Sequence, residues 1–200
     1  MMSGNLFALC IATAVLTAIP GPNVALIVAN SLRYGFRQGS VTVLGTTAGV
    51  AVQLSLVALG LATLIEVAAG ALTWIKWAGV AYLLYVGIRA WREPVADPGV
   101  IQASRAVFWR AFAIAALNPK TLLFNAAFLP QFVEPGAGPG QFLVIAAVFL
   151  AVLLAGDLCW AGFASRARQV IGHYGSFRNR VAGGFLIASG IGLALSRRDL

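Results

Sequence analysis

The chain is poor in the residues on which most catalytic chemistry depends. Its 200 residues include two cysteines, one histidine and six acids. Cys10 and Cys159 have no Cys or His at metal-ligand spacing, and His173 stands alone, so neither a zinc nor a haem motif exists. No metal and no cofactor is expected, and the two cysteines read as inert thiols. There is no Gly-x-x-x-x-Gly-Lys-Ser/Thr run, which excludes ATP hydrolysis by that loop, and no Gly-x-Ser-x-Gly or His-Glu-x-x-His. No catalytic residue is assigned, and an enzyme is not expected. Charge is scarce too: 10% of the chain, against roughly 25% in a soluble domain.

What is abundant is apolar. The chain is 60% hydrophobic with a mean hydropathy of +0.88, an integral membrane composition. The net charge of +8 would suit nucleic acid, but the arginines sit in short loops between apolar runs, as cytoplasmic loop charges do. No nucleic-acid partner is expected; membrane lipid is. There is no Ser/Gly-rich linker, charge block or low-complexity segment, so residues 1–200 read as one transmembrane domain. Met1 to Asn5 lacks the Lys or Arg of a signal-peptide n-region, and the first apolar run is read as a membrane helix.

Six runs are long enough to span a bilayer, about 6–30, 40–64, 71–91, 108–132, 140–163 and 180–197, the last being the shortest. Arginines follow the first run (Arg33, Arg37), bound the loop after the third (Arg89, Arg92, Arg105, Arg110) and fill the loop after the fifth (Arg166, Arg168, Arg178, Arg180). The turns at Ile65–Gly70 and Val133–Pro139 have none. The positive-inside rule places the three Arg loops in the cytoplasm and both termini outside, with Arg197 and Arg198 against the rule. Trp74 and Trp77 fall near an outer span end, and Trp91, Trp109 and Trp160 near inner ends, where tryptophan favours the interface. Gly45 and Gly49 have the Gly-x-x-x-Gly spacing that lets helix backbones approach, read here as ordinary helix packing.

Two of the runs are broken. Pro20, Gly21, Pro22 and Asn23 interrupt the first, and Asn118, Pro119 and Lys120 interrupt the fourth. Proline removes a backbone donor and clashes with the preceding turn, so neither stretch continues a helix. Backbone broken inside a bilayer is tolerated only when buried in protein or lining a cavity. By helical rise Pro22 lies roughly 16 Å and Pro119 roughly 14 Å from the inner face, near the midplane of a core about 30 Å thick. Each half, about 1–92 and 105–200, begins with such a helix, and three spans per half reverse the second half in the membrane. The expected fold is therefore all-α, with six transmembrane helices in two inverted three-helix repeats and broken helices 1 and 4.

The breaks are the candidate substrate site: Pro20, Gly21, Pro22, Asn23, Asn118, Pro119 and Lys120. A half-helix N-terminus offers free N–H groups and a partial positive charge, and Lys120 adds a full charge, which together suit a carboxylate. The alternatives are a plain structural kink at Pro20 and Pro22, and a lysine snorkelling to an interface. Asp157 is the one acid well inside a span; it could carry a coupling proton, pair with Lys120, receive a substrate ammonium or close an inner-mouth salt bridge. Asn23, Asn30, Gln53, Asn118, Asn125 and Gln131 could line a path or bond neighbouring helices. Glu66 and Glu134 sit at span ends and read as solvated.

At these residues the chain resembles the lysine exporter (LysE/RhtB) family of amino-acid translocators, over nearly its whole length. The resemblance is carried by Pro20-Gly21-Pro22-Asn23, Gly35-Phe36-Arg37-Gln38-Gly39, Gly45, Gly49, Gly60-Leu61, the run Lys76 to Gly87, Asn118-Pro119-Lys120 and Phe128-Leu129-Pro130-Gln131-Phe132. It implies a six-helix protein of the bacterial inner membrane that exports amino acids or close relatives, driven by the proton gradient. It implies a small-molecule substrate and leaves open a homo-oligomer. Two other readings stand beside it: export of a non-amino-acid solute, and a membrane scaffold that transports nothing. A soft metal is a poor cargo without a Cys/His cluster, and a scaffold needs no buried Lys and Asp between broken helices.

Overall fold

The computed structural model describes residues 2–59, 69–92, 103–134, 139–170 and 175–195. Glu66, His173, Arg197, Arg198 and most of the two turns expected to face outside lie beyond the described residues. Among those described there are eight α-helices and no strand: α1 (Met2–Ala18), α2 (Pro22–Tyr34), α3 (Phe36–Ala58), α4 (Ala69–Arg92), α5 (Ser104–Ala116), α6 (Pro119–Leu123), α7 (Pro139–Val170) and α8 (Gly175–Leu195). By length and composition α3 and Gly140–Val170 can each cross a membrane, and each broken pair adds one more candidate, giving up to four. Asn179–Leu195 is a shorter apolar helix.

Both breaks form where proline punctuates the sequence. Leu6–Ala18 and Pro22–Tyr34 meet at 59°, and Ser104–Ala116 and Pro119–Phe132 at 48°. Pro22 and Pro119 open the new helices, where the missing N–H is not needed. After α6 the chain tightens and loosens in ways the sequence reading did not anticipate. Phe124–Phe128 is a π-helical turn and Leu129–Phe132 a 3-10 turn. Pro130 accounts for this: it can neither donate to the carbonyl four residues back nor avoid it, and the extra residue of a π turn relieves the clash. The Leu129 N–H accordingly bonds Phe124, five residues earlier.

The joint between α2 and α3 is a single residue. Gly35 has φ +86°, the only positive φ among the described residues, and its N–H caps α2 at the Ser31 carbonyl, 2.9 Å away. A side chain there would be strained and would also meet the Arg168 guanidinium.

Helix pairs pack through small residues. A Cβ on Gly45 would lie 2.5 Å from the Phe108 carbonyl oxygen, and one on Gly49 2.5 Å from that of Phe112, so α5 lies directly on the Gly45/Gly49 face of α3. Gly87 of α4 and Gly183 of α8 do the same for each other. Further contacts join α1 to α7, α2 to α7 and α8, and α3 to α7. One apolar cluster (Leu9, Val50, Leu54, Phe149, Leu153) sits among α1, α3 and α7. A second (Val24, Leu32, Leu83, Ala182, Leu186) sits among α2, α4 and α8. Large apolar side chains such as Phe7, Leu44, Trp74, Leu143 and Phe163 point outward, and only 22% of the apolar window of α7 is buried, as expected of helices whose outer face meets lipid.

Candidate functional site

The two breaks, far apart in sequence, close around one small cavity. It is lined by Leu16, Thr17, Gly21, Asn23, Val24, Asn118, Lys120, Thr121, Leu153 and Asp157. The space open to the centre of a water-sized sphere is about 20 Å³, enough for about one water and too little for an amino acid. The conformation is closed. Of the residues expected at the site, Gly21, Asn23, Asn118, Lys120 and Asp157 share this lining. Pro22 and Pro119 are buried beside it as helix starters, and Pro20 is exposed and does not reach it.

Asn118 and Asn23 join the breaks directly, amide to amide carbonyl, at 2.9 Å. The Asn118 Oδ1 also accepts from the Lys120 N–H at 3.0 Å, capping α6. Both asparagines are buried, so each bond satisfies a polar group that has little access to water. The start of α2 has no such cap: Gly21 offers no side chain. The Ala25 N–H reaches back to Gly21 at 2.8 Å. That leaves the N–H groups of Asn23 and Val24 without a partner inside their own helix, and both residues line the cavity.

Lys120 has a definite task in this conformation. Its ammonium donates to the carbonyls of Leu16 (2.8 Å) and Ile19 (2.6 Å), at the negative end of α1. Its stem lies against Gly21, where a Cβ would come within 3.3 Å of the lysine Cδ. Asp157 is 1% exposed, and its Oδ2 has no hydrogen-bond partner among the described residues. It lines the same cavity as both breaks.

Each break is completed by the opposite half of the chain, in matched fashion. The Gln53 Nε2 of α3 donates to the carbonyl of Ala115, next to last in α5, at 2.8 Å. The Trp160 Nε1 of α7 donates to the carbonyl of Thr17, next to last in α1, at 3.0 Å. One turn before Gln53, Gly49 receives the Ala115 methyl; one turn before Trp160, Gly156 receives the Thr17 side chain. Gln53 in turn accepts from the Asn125 Nδ2, 3.0 Å away in the π-helical turn. Trp160 is half-buried with its N–H engaged at the break, whereas Trp74, Trp77, Trp91 and Trp109 are exposed. Thr17 and Thr121, which line the cavity, escaped the sequence reading.

An all-helical membrane protein organised around two broken helices that meet at a buried cavity defines a class, and comparison with known proteins narrows it. The chain belongs to the LysE type translocator family, whose model matches residues 14–197. The family's members are transporters, not enzymes. A homoserine/homoserine lactone efflux protein of Salmonella typhi is 29% identical over 82% of this chain and 81% of its own length. A cysteine/O-acetylserine efflux protein of Escherichia coli is 28% identical over 88% of this chain and 90% of its own. An uncharacterized membrane protein of Vibrio cholerae is 36% identical over 66% of this chain and 68% of its own. No solved structure matches the chain.

Proposed function

We propose that the protein is a secondary exporter of amino acids or close derivatives across the bacterial inner membrane, coupled to protons. The observation that carries this reading is the meeting of both breaks, Lys120 and Asp157 in one closed cavity. The substrate carboxylate is received by the free N–H groups of Asn23 and Val24 at the start of α2, with Lys120 alongside, once the cavity opens. Small polar cargo fits the relatives named for homoserine and its lactone, and for cysteine and O-acetylserine. Asp157 is the proton carrier: it is ionisable, buried and adjacent to the substrate position.

The chain crosses the membrane six times, with the broken helices as spans one and four, the three Arg loops in the cytoplasm and the halves as inverted repeats. Two observations support the repeats. The packing of α3 on α5 has its counterpart in α7 on α1, with the halves exchanged. The glycine-plus-cap pairs, Gly49 with Gln53 and Gly156 with Trp160, serve the same position of the two broken helices. Such repeats in secondary transporters rock about a midplane site to give alternating access.

Counterflow in proteoliposomes tests the reading. Vesicles containing the purified protein are preloaded with one unlabelled amino acid at a time, and labelled uptake is followed with and without a ΔpH. Accelerated exchange for one class of amino acids is expected. A folded protein that exchanges none of them overturns amino-acid export in favour of another solute or a scaffold.

A further inference from the structure

We infer that a groove between the start of α3 and the end of α7 binds an anionic phospholipid, with the headgroup on Arg166 and an acyl chain along Phe163. The groove is lined by Phe36, Cys159, Gly162, Phe163, Ser165 and Arg166. The space open to the centre of a water-sized sphere is about 380 Å³, against about 20 Å³ in the cavity between the breaks. Cys159, Gly162, Phe163 and Arg166 follow one another at three- and four-residue steps, so they form one stripe of α7. Phe36, Cys159 and Phe163 are exposed, and nothing lies within 4 Å of a Cβ built on Gly162, so the stripe is open to the surroundings of the protein. Asp157 belongs to the opposite stripe, with the buried Leu153, Ala161 and Ala164. The same stretch of α7 thus turns one face to the closed cavity and the other outward.

Charge selects the occupant. From Cys159 to Arg166 the α7 side of the groove runs roughly 10 Å by helical rise, apolar first and ending in Ser165 and Arg166. Arg37 follows Phe36, and the Arg168 guanidinium lies against Gly35, so positive charge gathers at this joint. The described acids are elsewhere. Glu134 sits beside Gln141 at the far end of α7, and Asp157 is on the opposite stripe. An apolar chain tipped by an anionic phosphodiester complements such a surface, and basic pockets between membrane helices bind headgroups of this kind. A zwitterionic headgroup would leave the positive charge unbalanced. A second copy docked about a two-fold axis would bring the same arginines toward each other. The inference rests on the chain being a membrane protein and not on what it exports.

Native mass spectrometry of the full chain tests this, in micelles holding equal amounts of phosphatidylglycerol, which is anionic, and phosphatidylethanolamine, which is zwitterionic. The wild type should retain phosphatidylglycerol in preference. Arg166 is exposed, so its substitution does not threaten the fold. Arg166→Gln should lower the preference about fivefold, equivalent to about 1 kcal/mol for one arginine. Gly162→Leu puts a side chain into the open groove and should abolish retention of phosphatidylglycerol. Arg92→Gln, at an exposed arginine of α4 outside the groove, should leave the preference as it is. No preference in the wild type overturns the inference without any variant. So does a preference undiminished in Arg166→Gln or Gly162→Leu, or an equal fall in Arg92→Gln. A dimer mass that Gly162→Leu removes would give the groove to a second copy instead.

Discussion

The amide of Asn118 donates to the side-chain oxygen of Asn23 across 2.9 Å, a side-chain bond that joins the two breaks of this protein directly. Neither residue belongs to a continuous helix ladder at its donating end. Their bond, with those of Lys120 to Leu16 and Ile19, holds the two breaks together in the closed conformation.

Removing it should reveal a pairwise coupling. Asn118→Ala loses both the bond to Asn23 and the cap on the Lys120 N–H, and the cap alone is worth about 1 kcal/mol. Asn23→Ala loses only the bond between breaks. A double-mutant cycle on unfolding in detergent or bicelles should give a coupling of about 0.6 kcal/mol, the average for side-chain hydrogen bonds between membrane helices, and at most about 1.7 kcal/mol. Strict additivity would mean that the breaks are held together by something else.

Gln53 is the more demanding position. Its amide serves the carbonyls of Ala115 and Ala116 and accepts from Asn125, and both side chains are fully buried. Gln53→Leu fills the volume and orphans donor and acceptor together, at about 1–3 kcal/mol for each buried group left unpaired. We expect it to lower stability by about 2 kcal/mol or more. Gln53→Glu in its ionised form keeps the acceptor for Asn125 and withdraws the donors, so it should fail to rescue. A melting curve for each variant decides this, and a neutral Gln53→Leu would show that water, not Gln53, serves the break.

How far the sequence anticipated this site depends on the range of each signal. Pro20, Pro22 and Pro119 act on their own backbone, so the breaks were legible at once. Lys120 and Asp157 stood out because ionisable groups are rare in apolar runs. Partners were not legible, because they depend on tertiary placement. Lys120 reads as a bare cation and turns out to cap α1. Trp160 reads as an interface residue, since its single donor shows no target in sequence, and it finds the Thr17 carbonyl. The π-helical turn was hidden because its cause, Pro130, acts several residues upstream. Gly45 and Gly49 announced close packing without saying that α5 would provide the partner.

Those glycines make a controlled test. A methyl added at Gly49 would press on the Phe112 carbonyl and the Ala116 N–H, both backbone atoms that cannot swing away. Gly49→Ala should therefore cost about 1–3 kcal/mol and disturb the second break. At Gly162 nothing lies within 4 Å of an added Cβ. Gly162→Ala should stabilise its helix by up to about 1 kcal/mol. Equal melting temperatures for the two variants would contradict the packing described.

Lys120→Met keeps an unbranched stem against Gly21 and removes the ammonium. If the lysine meets the substrate carboxylate, counterflow of the amino acid should fall at least tenfold, about 1.4 kcal/mol. Exchange of the corresponding decarboxylated amine should change little, since it offers no carboxylate to lose. An equal fall for both compounds would assign Lys120 to the α1 cap alone.

Asp157→Asn separates transport from coupling. An asparagine has nearly the size and shape of the aspartate it replaces, so the closed packing should survive and counterflow should persist. What the amide cannot do is release a proton. Net efflux from preloaded vesicles should therefore lose its stimulation by an imposed ΔpH while exchange at zero ΔpH continues. The same protein sample gives both measurements, which separates uncoupling from misfolding. Full stimulation by ΔpH in Asp157→Asn would move the coupling proton to another group and leave Asp157 a structural acid.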